Sequence, residues 1–364
     1  MKGSLSGVAL MLLSVGASAT QLQISNIDYL YPDSTITQYR LPWFSSPDNP
    51  IAAKRINDYL FSTFIFHLPG KDPQATLNQL AKTEHGMEGI ETLDYHVQYL
   101  GKNILAIDIL GEWCGAYCEA YTEPVVFDLS TGYRVTLEQI ITNNGMDTLA
   151  TKVRKDISDK ISTFVAQQKA LPAEKQRDED GVIMDYEAFY AECLARTKNP
   201  DFTDYTDRYS LNEKNITFLN GRCSNHANQA LDDLGDFQTP LPVSSLNEML
   251  TPYGKTLLTN EPRQRTAPLP GLSDRVLYGT LGKNTRIVLN VSCQRSYIQG
   301  AYFYEKYGAA IGLSGKCSPE NTQHYELTTS SNEAPAEKIV LDLKEGRYQG
   351  NWQSGGKTLP VQFD

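Results

Sequence analysis

The chain runs to 364 residues, 40% of them hydrophobic and 21% charged, which is enough for two or three packed domains. Its 43 acidic residues outnumber 33 basic ones, and the formal charge of −10 argues against nucleic acid or anionic lipid as partners, because both would repel it. A basic partner would instead be attracted.

Residues 1–19 read as a secretory signal peptide: Lys2, an apolar run from Val8 to Val15, and Ala17-Ser18-Ala19 as a small-x-small cleavage site. The run is about half of the ~20 residues a spanning helix needs, and no later run approaches one, so no transmembrane span is expected. Cleavage near Ala19 would release the mature chain into the periplasm or outside the cell. All six cysteines lie beyond that point, and an even number after a signal peptide favours disulfides over metal ligation. Fifteen pairings exist for six cysteines. Their spacing as three neighbouring couples predicts Cys114–Cys118, Cys193–Cys223 and Cys293–Cys317.

Gln21 to Ser46 is an opening segment rich in Tyr and Pro. Asn49-Pro50 then precedes a helix in which Ile51, Ile56, Leu60, Phe64 and Ile65 are expected to face a core. A second helix, Pro73 to Thr83, carries Leu77, Leu80 and Ala81. Leu93 to Leu100 and Asn103 to Gly111 read as strands joined by a Gly101-Lys102 hairpin. Val125-Val126-Phe127 is the next strand, Asp128 to Gly132 a turn, and Tyr133 to Thr136 resumes the sheet before Thr136-Leu137-Glu138 opens a helix.

Met146 to Gln168 places Leu149, Val153, Ile157, Ile161, Phe164 and Val165 on one stripe, and Tyr186 to Thr197 adds Phe189, Tyr190 and Cys193. Between these helices, Arg177-Asp178-Glu179-Asp180 reads as a solvated charge run. Asn215 to Asn220 and Gln238 to Val243 are strands, and a final helix is expected to run through Leu250. The order describes an α+β fold, an antiparallel sheet packed with helices, over 20–258.

Residues 259–272 hold three prolines and no periodic pattern, and read as a linker. Over 273–364 the texture changes to eight short strands, VLYGTL through KTLPVQF, separated by turn residues. They predict a small all-β barrel or sandwich domain. In a meander Cys293 and Cys317 end alternate strands at the same rim, so their bridge must curl over the start of the strand between them.

The Cys114-Gly115-Ala116-Tyr117-Cys118 pair admits three readings: a structural clip, a redox couple or half of a metal site. Redox pairs usually space their cysteines by two residues at a helix start, and zinc would need two further ligands, so the clip fits best. Trp113, Tyr117 and Tyr121 flank or occupy that stiffened loop and are the candidate binding residues. Tyr302, Phe303, Tyr304 and Tyr307 cluster in the barrel, where half should point inward as core.

His67, His85, His96, His226 and His324 are dispersed. His226, followed by Asp232 and Asp233, could share a proton or a metal with them, or the three could be caps on a surface loop. Asp201, Asp204 and Tyr205-Thr206-Asp207 lack the spacing of a calcium loop. There is no G-x-S-x-G elbow, P-loop or dinucleotide fingerprint. No catalytic residue, metal or cofactor is therefore assigned.

The segment LGEWCGAYCEAY…VVFDLSTGYRVTLEQII, with the upstream NPIAAKRINDYL and downstream ITFLNGRCSNHANQALDDLGDFQTPLPVSSLNEML, resembles the RsiV/PdaC-type extracytoplasmic domain of unknown function. That domain occurs in a lysozyme-sensing anti-sigma factor and beside the catalytic domain of a peptidoglycan deacetylase. The likeness spans Gln21 to Leu258. Family loops at 111–121 are usually Gly- and His-rich; here a cysteine-bracketed loop stands in that place. The C-terminal part is similar to uncharacterised bacterial modules. The resemblance implies a non-enzymatic envelope protein that binds a basic protein such as lysozyme, or cell-wall fragments. Two other readings stay open: a cell-wall hydrolase with a site near His226, and a periplasmic thiol-disulfide protein using Cys114 and Cys118.

Overall fold

The computed structural model describes residues 22–32, 37–172, 174, 184–199, 206–259, 271–294, 296–318, 322–329 and 336–364. The signal segment, the 177–180 charge run, Asp201, Asp204, Tyr205 and most of the expected linker lie outside the described residues.

A five-stranded sheet holds β1 (Gln23–Leu30), β2 (Thr37–Ser45), β3 (Ile90–Leu100), β4 (Ile104–Cys114) and β5 (Cys118–Asp128) in chain order. The Tyr- and Pro-rich opening segment supplies the β1–β2 hairpin. One pair, β2–β3, runs parallel, because α1 (Pro50–Phe64) and α2 (Pro73–Lys82) carry the chain back across the sheet between those strands; the other pairs are antiparallel.

β4 lies inside the sheet between β3 and β5, and its first half, Ile104 to Ile109, is buried on both faces. Leu105, Ile107 and Ile109 join Val125 and Phe127 in a core with α1, while Ile104, Ala106 and Val126 enter a second core. That is why the strand reads as a continuous apolar run rather than an alternation.

Helix α1 starts at Asn49, whose side chain accepts from the Ala52 N–H, with Pro50 in the first turn. Ile56, Leu60, Phe64 and Ile65 are buried, but Ile51 is 63% exposed. Five residues of helix turn Ile51 about 140° away from Ile56, off the buried stripe. Opposite α1, the Asp128–Gly132 turn brings Gly132 onto Ala52 with φ at +73°. A Cβ there would lie 2.3 Å from the Ala52 carbonyl oxygen, so only glycine fits.

The second core lies on the other face of the sheet. It takes α3 (Leu137–Ile140), α4 (Asn143–Lys169), α5 (Tyr186–Lys198) and a separate antiparallel sheet of β6 (Tyr209–Leu211), β7 (Asn215–Asn220) and β8 (Phe237–Pro242). Leu149, Val153, Ile157, Ile161 and Val165 form the buried stripe of α4. The expected helix through Leu250 is instead a 3₁₀ turn over Val243–Leu246, and α6 (Pro252–Leu258) follows, capped by Thr251.

β9 (Arg275–Leu281), β10 (Thr285–Gln294), β11 (Tyr297–Tyr304), β12 (Ala310–Lys316), β13 (His324–Thr329), β14 (Lys338–Lys344), β15 (Arg347–Ser354) and β16 (Lys357–Phe363) close into an antiparallel barrel through β16–β9. This decides between barrel and sandwich. Three disulfides join Cys114–Cys118, Cys193–Cys223 and Cys293–Cys317. At the barrel rim Lys316 sits opposite Tyr297, and the Cys317 N–H donates to the Ser296 carbonyl at 3.0 Å. The last bridge thus passes over the start of β11, with Cα atoms 6.1 Å apart.

The barrel packs on the α+β part through its outer face. Ile287, Leu289 and Val291 of β10 point inward, while Val288 joins Val276, Ala301 and Phe303 in the core shared with α1. Asn290 donates to Ser62 Oγ at 2.7 Å and Thr63 Oγ1 at 2.9 Å, Tyr278 donates to Asp58 at 2.6 Å, and Arg134 pairs with Asp274 at 2.6 Å. Tyr302 and Phe303 are both fully buried, one inside the barrel and one against α1.

Candidate functional site

The β4–β5 ribbon ends in the Cys114–Cys118 clip, whose cysteines face each other across the hairpin with Cα atoms 4.0 Å apart. The Cys114 N–H donates to the Gly89 carbonyl at 2.7 Å, fixing the tip to the turn before β3. Between this ribbon and β6–β8 lies a polar groove of about 870 Å³.

At the groove Asp108 is buried, accepting from Ser210 Oγ at 2.9 Å and Gln98 Nε2 at 2.5 Å. Arg208 pairs with Glu123 at 3.2 Å and donates to the Thr122 carbonyl, tying β6 to β5. Across the groove the Arg222 N–H donates to Asp236 at 3.0 Å. At the mouth Tyr117, 58% exposed, lies flat on His226 with ring centroids 4.1 Å apart and planes 11° from parallel.

Trp113, Tyr117 and Tyr121 all border the groove, but their rings are not together. Trp113 stands edge-on to Phe66 at 6.1 Å and lies against Gly89. Tyr121 lies over Gly111, its cross-strand partner; burial, then the Glu123 charge, push its phenol pKa up. Strand alternation puts both on the face opposite Asp108. Only Tyr117 meets His226.

His226 does not gather Asp232 and Asp233 around itself. Asp232 accepts from Tyr190 Oη at 2.7 Å and the Ser224 N–H at 2.9 Å, and Asp233 accepts from Tyr186 Oη at 2.7 Å. These carboxylates brace α5 against the loop after β7. Burial opposes ionisation of Asp232, but hydrogen bonds from Tyr190, Ser224 and Gly235 prevail and hold its pKa below the ordinary carboxylate value. The hydrogen bond to Asp233, then burial, push the Tyr186 phenol up to about 12; burial, then the Glu91 charge, do the same for Tyr39.

The signs of these shifts predict the pH profile of stability. Asp232 stabilises the fold above the ordinary carboxylate range, and this is lost as pH falls through its depressed value. Tyr39 and Tyr186 contribute fully below pH 10, and their share is lost as pH rises to about 12. Urea midpoints measured against pH should therefore show a plateau with an acid and an alkaline limb, and Asp232→Asn should flatten the acid limb.

The other histidines stay apart. His67 has Nδ1 2.6 Å from the Leu68 carbonyl, His85 lies 3.6 Å from Glu88, and His324 lies 2.8 Å from Asp342. Among the described residues no group of three His, Cys, Asp or Glu side chains is placed to hold a metal ion. Asp108, Gln98, Ser210 and Arg208 were missed in the sequence. The one available signal was Asp108 itself, a lone acid in the apolar run ILAIDIL.

Three disulfides fit an extracytoplasmic protein, and no helix among the described residues is long and apolar enough to cross a membrane. No family model and no curated protein matches the chain. Among solved structures it is similar to a member of the DUF3298 family from Bacteroides fragilis, with 14% identity and a TM-score of 0.36 over 67% of this chain and 98% of that one. It is also similar to a DUF3298 family protein from Pseudomonas aeruginosa, with 14% identity and a TM-score of 0.34 over 64% of this chain and 95% of that one. These neighbours belong to a domain family of unknown function and do not reach the narrower RsiV/PdaC resemblance.

Proposed function

We propose that this chain is a non-catalytic binding protein of the bacterial envelope that takes its ligand at the groove beneath the Cys114–Cys118 hairpin. The observation that carries this reading is the Tyr117–His226 stack. Tyr117, exposed on a covalently clipped tip, stacks on His226 over a polar groove in which Asp108 is held by Ser210 and Gln98. A rigid aromatic loses little entropy on contact, which is what a recognition surface uses. The ligand in this proposal is a basic protein such as lysozyme or a cell-wall fragment, drawn by the chain's acidity.

The hydrolase alternative needs His226 and a carboxylate in one site, and Asp232 and Asp233 are held by Tyr190 and Tyr186. The test is binding of lysozyme and of soluble peptidoglycan fragments to the oxidised protein at low salt. A complex is expected that weakens with salt, and Tyr117→Ala should weaken it at least about tenfold while leaving the melting temperature unchanged. Equal binding by wild type and Tyr117→Ala, or none by either ligand, removes the reading.

A further inference from the structure

A second cleft, of about 1000 Å³, opens where α1 and the loop after it meet the barrel turns at 284–286 and 304–307. Four cations line it, Lys54, Lys71, Arg286 and Lys306, against two carboxylates, Asp58 and Glu305. In a chain of charge −10 this is a local reversal of sign. Lys54 is neutralised by Asp58, and Arg286 pairs with Glu305 at 2.7 Å. Among the described residues neither Lys71 nor Lys306 has an acidic partner.

Beside these free charges Tyr307 is 67% exposed, with Tyr304 edge-on at 6.3 Å and the Lys306 ammonium 5.1 Å from its ring centre. The turn bearing these groups is held in place. Tyr307 and Gly308 both donate to the Tyr304 carbonyl at 2.9 Å. Leu68 donates to Gly308 at 2.8 Å and Ala310 to Phe66 at 3.1 Å, pinning the turn to the loop after α1. The backbone that carries Lys306 and Tyr307 is thus fixed before any ligand arrives.

We propose that this cleft is a binding site for a carboxylated saccharide. A sugar's C–H face would lie on the Tyr307 ring, its carboxylate would meet Lys71 and Lys306, and Asn284 and Thr285 in the wall would serve its hydroxyls. An acidic peptide is the less suited anion. Peptides commonly dock by adding a strand to a free sheet edge, and the closed barrel offers none. The site shares no residue with the groove under the disulfide hairpin, so its test is independent of that reading.

The experiment is calorimetric titration of the full chain at low salt with an oligogalacturonate tetramer, with neutral maltotetraose and polyglutamate as comparison ligands. The oligogalacturonate should bind, and the neutral tetramer at least about tenfold more weakly. Lys71→Glu with Lys306→Glu should abolish binding, Tyr307→Ala should weaken it about tenfold, and Tyr117→Ala should leave it unchanged. All these positions are exposed, and an unchanged melting temperature certifies the fold of each variant. Failure of the oligogalacturonate to bind at millimolar concentration overturns the proposal. So does binding that is indifferent to the lysine reversals, or polyglutamate binding as tightly and independently of Tyr307.

Discussion

Phe303→Ala is expected to cost about 3–5 kcal/mol of stability, the range for removing a buried phenylalanine. The ring is fully buried, yet it lies outside the barrel's own core, in the cluster shared with α1. Truncation leaves a cavity between two elements that are also tied by the Asn290 and Tyr278 hydrogen bonds, and such a site collapses poorly. Because the shared core couples the parts, wild-type protein should unfold in one guanidinium transition seen alike by tyrosine fluorescence and circular dichroism, and Phe303→Ala should lower its midpoint and begin to separate the probes. Tyr307→Ala, on the same hairpin but exposed, should change stability by less than about 0.5 kcal/mol. A midpoint for Phe303→Ala within error of wild type would show that the barrel does not lean on α1.

Cys193→Ser with Cys223→Ser should cost about 3–4 kcal/mol, the chain-entropy value for releasing a loop of 30 residues. The bridge ties α5 to the loop after β7, the same contact that Asp232 and Asp233 brace through Tyr190 and Tyr186. Loss of the bond should therefore also expose Tyr186 and Tyr190 to earlier ionisation, seen as a lower alkaline midpoint in the 295 nm absorbance. Cys114→Ser with Cys118→Ser closes a far shorter loop and should cost about 2 kcal/mol or less, with its main effect on binding at Tyr117. Equal losses for the two pairs would show that loop length does not govern their contributions.

Much of the scaffold was legible because it rests on local rules. The α4 stripe, the Asn49-Pro50 helix start and the Ser130-Thr131-Gly132 turn are written within single turns of chain, and the structure has them. Ile51 misled because apolar character was read without its angle around the helix. The parallel β2–β3 pair was hidden because strand direction depends on where two intervening helices deliver the chain.

The candidate site was legible only at its rim. Tyr117 stood out beside paired cysteines, but its partner His226 lies 109 positions on in the numbering. Nothing local says that the loop after β7 folds back over the β4–β5 tip. His226, Asp232 and Asp233 looked like one constellation because they are close in sequence, and the fold sends their side chains to different partners.

The sequence by itself determined the α+β part followed by small-barrel strands, the periodic core positions and the acidic balance, since these follow from composition and from spacing within an element. Only the tertiary structure decided that the barrel closes, that Phe303 joins the core shared with α1 rather than the barrel's own, and that Asp108 bonds Ser210 in a groove that Arg208 also lines. Those outcomes turn on which faces come together after collapse, and a strand's alternation marks two faces without saying what will cover each.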